Sequence, residues 1–378
     1  MNKEKVFILI LVNWIILISC SRVITNEPTA SLYIGSANDN LNSSYIYVLD
    51  PKTGVLKWKY NSSLAIMSSI EFSNGILYTG IGKNITAIDT NTKAIKWQYL
   101  TGGTIHSTPT LVNGVIYVNS DDQYLYAIDA VTGALKWRFA QLLNIFPSGN
   151  YSSPTVVNGV VYFGSADNYI YAVDANTGTL KWKTQSVFVG FQSSTSVVNG
   201  VLYIGDLVSS LLALNTTDGS IKWIFNVNSY VFSSPTVSNG IVYIGNFNGD
   251  LYAIDANTGI KKWQYNARAK IDGSPIESNG IIYFGTAGLR RGDLYALDAL
   301  TGALKWNYVH TNTFRSSPVV FDGVVYIGSH SCILAVDATN GTLKWNYPTL
   351  GFEDIFASPC IVDTLSNVYV SSVSGSHN

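Results

Sequence analysis

The chain has 378 residues, 12% of them charged, and a formal net charge of −1. Soluble domains usually carry about twice that charged fraction, and nucleic-acid-binding domains carry clustered lysine and arginine. No basic run of five or more residues occurs here, so nucleic acid is not predicted as a partner. Aromatic residues at 13% and 32 glycines indicate a β-rich protein with many turns.

The first twenty residues resemble an export signal. Two lysines precede a mostly apolar stretch, residues 6–18, whose length suits a signal peptide better than a spanning helix. The stretch ends in the sequence LISC at Cys20, which resembles a bacterial lipidation site. We predict a lipoprotein signal over residues 1–20, lipidation of Cys20 and a short linker over residues 21–31. An ordinary signal peptide or an uncleaved anchor is the alternative.

One motif organises the rest of the chain. The segment from Ala172 to Trp182 reads AVDANTGTLKW. It predicts the end of one strand, a tight turn and the start of the next strand. Asp174 can bond to the turn backbone, and Gly178 can take the left-handed conformation that the turn needs. Trp182 then buries a large ring whose N–H requires an acceptor.

Intact or degenerate copies of A-x-D-x-x-T-G-x-x-x-W occur eight times, 39 to 45 residues apart. A period in this range is typical of repeat architectures. The copies end at Trp58, Trp97, Trp137, Trp182, Trp223, Trp263, Trp306 and Trp345.

Each repeat predicts four short strands, A to D. In residues 152–184 these are SPTVV, VVYFG, YIYAV and TLKW, separated by turn residues. Four antiparallel strands per repeat of about 40 residues are typical of a propeller blade. We therefore predict an all-β protein, an eight-bladed β-propeller of four-stranded antiparallel blades with tryptophan docking motifs, over residues 32–378.

The two ends of the repeat array predict how the ring closes. Strands A and D occur eight times, whereas the tyrosine-marked strand B occurs nine times, from Tyr33 to Tyr369. We predict that residues 357–362 supply the missing strand A of the first blade, which removes open edges. One spare strand B, at residues 32–35 or 368–371, is left without a place.

The motif copies resemble the tryptophan docking motif of the PQQ-type, or quinoprotein-like, β-propeller repeat family. The resemblance covers about residues 31–378 and implies that the tryptophan rings stack on the neighbouring blade as structural residues. With a lipoprotein signal, the chain resembles the BamB-like members of this family. That implies a non-catalytic, membrane-anchored scaffold for an envelope protein partner such as a β-barrel assembly component, with the chain as a monomer within the complex. The implied location is the periplasmic face of a Gram-negative outer membrane, or otherwise the cell surface.

Loop lengths favour one face of the propeller as the binding face. The A–B and C–D turns are short and uniform, whereas the B–C and D–A connections vary and include an insertion with Arg290 and Arg291. Variable loops on a rigid scaffold often carry binding sites. The position two residues before each strand A should line the central funnel on this face. It holds Met67, His106, Tyr151, Gln192, Phe232, Asp272, Arg315 and Phe356. The alternative is that these residues surround an inert water-filled channel.

No catalytic or metal-binding pattern emerges. PQQ-dependent dehydrogenases of the same repeat family combine calcium, a carboxylate base, an arginine and usually two adjacent cysteines. Here Cys332 and Cys360 are far apart and are predicted to be buried free thiols, and the four histidines lack metal-ligand spacing. We therefore predict neither PQQ nor calcium. A propeller that binds a small ligand or glycan, and a PQQ-dependent oxidoreductase, remain as alternatives.

Overall fold

The structure is a computed structural model that describes residues 30–37, 43–142, 149–186, 190–289, 291–349 and 354–370. These residues form 33 β-strands. None of the described segments is a helix with the length and apolar character needed to cross a membrane. The predicted signal peptide, Cys20 and Arg290 lie outside the described residues, so the lipoprotein assignment stays a prediction.

Eight antiparallel sheets form the propeller that the repeat predicts. Seven sheets have four strands, and the sheet that closes the ring has five. Within each blade the strands follow the order A-B-C-D, and the A strands of successive blades contact one another around the centre. The sequence therefore predicted both the fold class and the number of blades.

The strand bounds follow blade by blade. Blade 1 consists of β32 (Cys360–Val362), β1 (Ser31–Gly35), β2 (Ser44–Leu49) and β3 (Leu56–Ser62), with β33 (Val368–Val370) beside β32. Blade 2 consists of β4 (Glu71–Ser73), β5 (Ile76–Ile81), β6 (Asn84–Asp89) and β7 (Ile95–Leu100). Blade 3 consists of β8 (Thr110–Val112), β9 (Val115–Ser120), β10 (Tyr124–Asp129) and β11 (Leu135–Ala140). Blade 4 consists of β12 (Thr155–Val157), β13 (Val160–Gly164), β14 (Tyr169–Asp174) and β15 (Leu180–Gln185).

The remaining blades keep the same plan. Blade 5 consists of β16 (Ser196–Val198), β17 (Val201–Gly205), β18 (Ser210–Asn215) and β19 (Ile221–Asn226). Blade 6 consists of β20 (Thr236–Ser238), β21 (Ile241–Gly245), β22 (Asp250–Asp255) and β23 (Lys261–Asn266). Blade 7 consists of β24 (Ile276–Ser278), β25 (Ile281–Gly285), β26 (Gly292–Asp298) and β27 (Leu304–His310). Blade 8 consists of β28 (Val319–Phe321), β29 (Val324–Ser329), β30 (Cys332–Asp337) and β31 (Leu343–Pro348).

Blade 1 joins the two ends of the array. Strand β32 pairs with β1 in antiparallel register, with Tyr33 opposite Cys360, so the predicted closure is confirmed. Strand β1 is therefore the ordinary strand B of this blade. The spare strand is β33, which pairs with the other edge of β32 and places Val370 opposite Cys360. It lies on the inner edge, towards the centre of the ring.

Tight turns hold the strands of each blade in register. In the A–B turn of blade 4, Asn158 and Gly159 have φ angles of 50° and 74°, as a two-residue hairpin loop with left-handed central residues requires. In the C–D turn, the Asp174 carboxylate accepts bonds from two backbone N–H groups at 3.0 and 3.1 Å. Gly178 has a φ of 72°, and a β-carbon there would lie 2.7 Å from the Trp137 ring.

A tryptophan and a tyrosine pack at the seam between one blade and the next, and at seven seams both side chains donate to one shared acceptor. In blade 4, Trp182 Nε1 and Tyr162 Oη donate to the carbonyl oxygen of Thr216 in blade 5, at 2.8 and 3.4 Å. A buried carbonyl has two lone pairs, so it can accept both bonds. Seven seams show this arrangement, with acceptors Pro51, Ala130, Ala175, Thr216, Ala256, Ala299 and Ala338.

The seam between blades 1 and 2 differs from the other seven. Lys93 occupies the docking-turn position that glycine holds elsewhere, and its φ is 61°. The rings of Tyr33 and Trp58 lie 6.4 Å apart at 74°, against 5.8 to 5.9 Å and 41° to 48° at the other seams. At the other seams a β-carbon on the turn glycine would lie 2.6–2.8 Å from the indole ring, so we attribute the different orientation of Trp58 to the β-carbon of Lys93.

Candidate functional site

A belt of serine hydroxyl groups, each accepting a backbone N–H from the neighbouring blade, runs around the centre of the ring. The Ser153 N–H donates to Ser194 Oγ at 2.9 Å, and the Ser194 N–H donates to Ser234 Oγ at 3.0 Å. The same bond joins seven neighbouring pairs: Thr108–Ser153, Ser153–Ser194, Ser194–Ser234, Ser234–Ser274, Ser274–Ser317, Ser317–Ser358 and Ser358–Ser69. The belt fixes the backbone from which the residue two positions earlier projects.

The eight variable residues above this belt line one cavity of about 530 Å³. The structure thus brings together Met67, His106, Tyr151, Gln192, Phe232, Asp272, Arg315 and Phe356. Their role in binding stays a prediction. Arg291 does not join them, because it lines a separate surface depression between blades 6 and 7 and forms an ion pair with Asp293 at 3.1 Å.

On the side of blades 3 and 4, an imidazole and a phenol form a stacked pair. The rings of His106 and Tyr151 are 4.4 Å apart at 26°. His106 Nε2 lies 3.1 Å from Asp121 Oδ2, and its buried Nδ1 has no hydrogen-bond partner among the described residues. Burial and then the Asp121 charge raise the pKa of Tyr151, so this phenol is neutral at physiological pH and can donate a hydrogen bond.

Blade 6 contributes an aromatic wall. The rings of Phe232 and Phe247 lie 4.6 Å apart, and the exposed Tyr230 meets Phe247 edge-on at 6.2 Å. Lys270 Nζ lies 4.7 Å from the centre of the Phe247 ring. Phe247 and Lys270 both line the cavity, although the sequence analysis identified neither. Each comes from a B–C or D–A connection, where residues do not repeat and no pattern marks them.

Blades 7 and 8 add opposite charges. Asp272 Oδ2 forms an ion pair with Lys270 Nζ at 2.8 Å. The Arg315 guanidinium lies 5.3 Å from the centre of the Phe356 ring. Asp272 Oδ1 and Arg315 Nε are buried without a hydrogen-bond partner in the described part of the chain. An unpaired buried polar group costs about 1–3 kcal/mol. An acceptor and a donor on adjacent blades are thus available to a ligand.

Glu71 is a cavity-lining carboxyl that the sequence analysis missed. It begins β4 and is 5% exposed. The equivalent positions hold Thr110, Thr155, Ser196, Thr236, Ile276, Val319 and Cys360. Burial raises the pKa of Glu71 to about 8, so this carboxyl is mostly protonated at neutral pH. A single acid at a strand position that holds a small or apolar residue in the other seven blades was the available signal.

The donor set of the funnel does not fit a calcium-bound quinone. Calcium takes six to eight oxygen ligands, usually with several carboxylates. Among the described residues, no three His, Cys, Asp or Glu side chains lie close enough to hold a metal ion. In the cavity, Asp272 is engaged by Lys270 and Glu71 is mostly neutral. Cys332 and Cys360 are buried and free, as predicted, so they offer no disulfide to the funnel.

Eight blades joined by tryptophan seams around a lined funnel define a PQQ-type β-propeller. The family model described as outer membrane protein assembly factor BamB matches residues 42–186 and 166–352, which is more than half of the chain. The chain belongs to this family. No curated protein sequence matches it.

Solved structures with the same architecture include BamB and two dehydrogenases. BamB from Moraxella catarrhalis is 17% identical with a TM-score of 0.65, over 81% of this chain and 96% of that one. A europium-containing methanol dehydrogenase is 15% identical with a TM-score of 0.67, over 81% and 83%. The quinohemoprotein alcohol dehydrogenase from Comamonas testosteroni is 16% identical with a TM-score of 0.65, over 79% and 70%. At these identities the likeness shows the fold alone.

Proposed function

We propose that this protein is a non-catalytic, membrane-anchored scaffold of the cell envelope that binds a protein partner in its funnel. The observation that carries the proposal is the set of eight side chains, of seven residue types, that surround one cavity. Three of them, His106, Asp272 and Arg315, present buried polar atoms that have no partner among the described residues. The family description names an outer membrane protein assembly factor, which supports a β-barrel assembly component as the partner.

The chemistry of the funnel suits a polypeptide loop. A peptide backbone offers an N–H and a C=O in every residue, which match the acceptor of Asp272 and the donor of Arg315. The Phe232–Phe247 wall and the Phe356 ring offer apolar surface to the side chains of such a loop. This arrangement combines orientation by a few polar groups with burial of apolar area.

The remaining parts of the proposal rest on the sequence. A lipid on Cys20 followed by a short linker would hold the propeller near the bilayer. We place it on the periplasmic face of the outer membrane in a Gram-negative host, or otherwise on the cell surface, as a monomer within a complex. The mismatch between the funnel and a calcium–quinone site supports the absence of catalysis, and the sparse positive charge supports the absence of nucleic acid.

Site-directed photocrosslinking of the full lipidated chain in its native envelope would test the proposal. A photoreactive amino acid at Gln192 in the funnel should capture an envelope β-barrel protein, identified by mass spectrometry. The double variant Asp272→Lys and Arg315→Glu keeps the net charge but reverses both groups, and should abolish the capture. The matched control, Asp218→Lys with Lys222→Glu, also keeps the net charge while it reverses both groups at exposed positions of blade 5, and it should leave the capture intact.

Two results would overturn this function. One is equal capture by the funnel variant and the control, because the funnel would then not be the contact. The other is a crosslink of the same yield from Asn199, which lies in an A–B turn of the opposite face.

A small ligand or glycan is the second candidate, favoured by the size of the cavity. A volume of about 530 Å³ lies within the range of small-molecule sites, about 300–1,000 Å³, and sugars stack on aromatic rings such as Tyr151. Titration calorimetry with a panel of envelope sugars would show saturable heats that Tyr151→Ala removes. Dye reduction after addition of PQQ and calcium would instead identify an oxidoreductase.

A further inference from the structure

Blade 1 carries a strand that the propeller plan does not require. The inner edge of β32 pairs with β33 in three positions, Cys360 with Val370, Ile361 with Tyr369 and Val362 with Val368. In the other seven blades the innermost strand pairs on one side only, within the described residues. Those blades are complete without a fifth strand. The inner edge of β32 is therefore an additional strand-binding edge, which we call the strand-acceptor edge, and β33 of the same chain occupies it.

The strand-acceptor edge of β32 contacts particular side chains of the strand that pairs with it. Val368 and Val370 pack against the core between blades 1 and 2, which includes Phe72. Tyr369 points to the other side, where its ring meets Phe321 of blade 8 edge-on at 4.8 Å. The site therefore takes an extended segment with β-branched residues at the first and third positions and an aromatic residue between them. Alternation of this kind is how an added strand is recognised.

Strand β33 is held weakly compared with the strands around it. It has three residues, each only partly buried, whereas β1 has five, four of them buried. The turn before it places Ser366 at a φ of 66°, a conformation that residues other than glycine rarely adopt. Asp363 compensates in part, because its carboxylate accepts the N–H groups of Leu365 and Asn367 at 2.8 Å.

The acceptor opens onto the funnel. Val370, the last residue of β33, lines the same cavity as the variable ring. Since strand A begins at the funnel and β33 runs antiparallel to it, β33 ends at the funnel. A segment that replaced β33 would therefore extend into the cavity.

We propose that the inner edge of β32 is an exchangeable strand-acceptor site, which β33 fills in cis and an extended apolar segment of a partner protein can fill in trans. The partner contributes a β-branched, aromatic, β-branched triplet and pairs with Cys360, Ile361 and Val362. The cis strand competes at a high effective concentration, so trans binding is weak until β33 is loosened. This site borders the funnel through Val370, but its strand pairing with β32 does not depend on what the variable ring binds.

The test uses the full chain with Cys20→Ser and Cys332→Ser, so that Cys360 is the sole cysteine. The probe is a fluorescent peptide of residues 364–372, TLSNVYVSS, followed by anisotropy. In this background Tyr369→Ala should bind the peptide at least tenfold more tightly than the parent. Cys360, which is fully buried, should react with a thiol reagent at least tenfold faster, and the peptide should slow that reaction.

Two controls separate strand exchange from general loosening. Tyr265→Ala removes a half-buried tyrosine of blade 6 that packs edge-on against Tyr295 at 5.7 Å, and it should leave both readouts at the parent level. The same peptide with proline in place of Tyr369 should not bind, because proline cannot donate to a ladder.

The proposal is overturned if Tyr369→Ala stays folded by circular dichroism and matches the parent in peptide affinity and Cys360 reactivity. Equal binding of the proline peptide would overturn it as well. If Tyr369→Ala does not fold, a chain that ends after Asp363 replaces it. That truncated chain must bind the peptide, and the bound peptide must slow the reaction of Cys360 with the thiol reagent. A folded truncated chain that does not bind the peptide also overturns the proposal.

Discussion

The outer seams and the inner ring occupy equivalent places in all eight blades, yet they use sequence in opposite ways. At the seams a tryptophan, a tyrosine and a turn glycine recur, and the shared carbonyl acceptor recurs with them. In the ring, the residue before the hydroxyl belt changes in size and charge from blade to blade. The seam residues repeat because a β-carbon at the turn position would lie 2.6–2.8 Å from the docked indole ring, which favours glycine there. The ring can vary because the belt beneath it already holds the backbone.

The seam between blades 1 and 2, where Lys93 stands in place of the turn glycine, is a natural substitution at one of the eight equivalent seams. The tyrosine–tryptophan geometry changes only there among the described seams. At one seam a single altered residue accompanies a turned tryptophan, whereas the ring holds seven residue types at eight positions and the same belt bond still joins seven neighbouring pairs. Substitutions should therefore affect stability at the seams and binding at the ring.

The largest loss of stability should come from a seam tryptophan. Trp263→Ala removes a ring that packs against Tyr243 at 5.9 Å and a 3.0 Å bond to the Ala299 carbonyl. We expect a loss of about 3–5 kcal/mol in the free energy of unfolding, as for other large aromatic truncations. Urea denaturation measures it. Gln192→Ala in the ring is the control and should stay within about 0.5 kcal/mol; comparable losses in both would remove the distinction.

The second largest effect should be a pH dependence of the free energy of unfolding, which arises from the Glu71 carboxyl. The pKa of Glu71 is about 8 in the folded protein, against 4.5 for a free side chain, so the unfolded chain loses this proton first as pH rises. Stability should therefore fall with pH between these two values and level off above the folded pKa. The expected loss from this group is about 2 kcal/mol between pH 6 and 7.5.

Glu71→Gln removes that titration and keeps the shape. Its unfolding free energy should exceed that of the parent by a margin that grows from pH 5 to pH 8, as urea titrations at fixed pH would show. If the free energies of unfolding of the two proteins changed in parallel with pH, the pKa of Glu71 would not be raised in the folded protein and the carboxyl would be ionised there at neutral pH.

A smaller change should come from exchanging residues between the ordinary and the altered seam. Lys93→Gly removes a left-handed non-glycine residue, which costs about 1–2 kcal/mol, although the added freedom of the unfolded chain offsets part of the gain. We expect a net stabilisation of about 0.5–1 kcal/mol. In a crystal structure of the variant, Trp58 should take the geometry of the other seams.

The reciprocal change, Gly302→Lys, should destabilise by about 2 kcal/mol. Gly302 has a φ of 73°, and a β-carbon there would meet the Trp263 ring at 2.7 Å. If both exchanges were neutral in thermal melts, the turn glycine would have no part in docking.

Repetition decided what the sequence could predict. The seam tryptophans and the start of strand A each recur eight times, so the number of blades follows from the sequence. The convergence of ring residues such as Asp272 and Arg315 also followed, because a position shared by all the blades must lie at one radius. Their binding role did not follow, since different residues in the same place are expected both of a binding site and of a neutral lining.

Features that occur once were out of reach. Phe247 and Lys270 reach the cavity from connections of different length, and no repeat aligns them. Glu71 stood out only after its neighbours were known to be buried. The place of β33 depends on whether an edge of β32 is free, which is a property of the closed ring. Long-range edge pairing of this kind leaves no local pattern in the chain.

The structural role of the seams and the binding role of the ring are best distinguished by a ring substitution that removes binding and leaves stability almost unchanged. Arg315→Leu deletes a buried Nε that lacks a partner among the described residues, and it keeps apolar contact with Phe356. Removal of an unpaired buried donor is favourable, and loss of the cation–π contact with Phe356 is unfavourable, so the two effects offset and stability should change by less than about 1 kcal/mol in either direction. Crosslinking from Gln192 should nevertheless be lost. Retained crosslinking with unchanged stability would mean that Arg315 faces an inert channel, and a large loss of stability would move it from the binding ring to the structural frame.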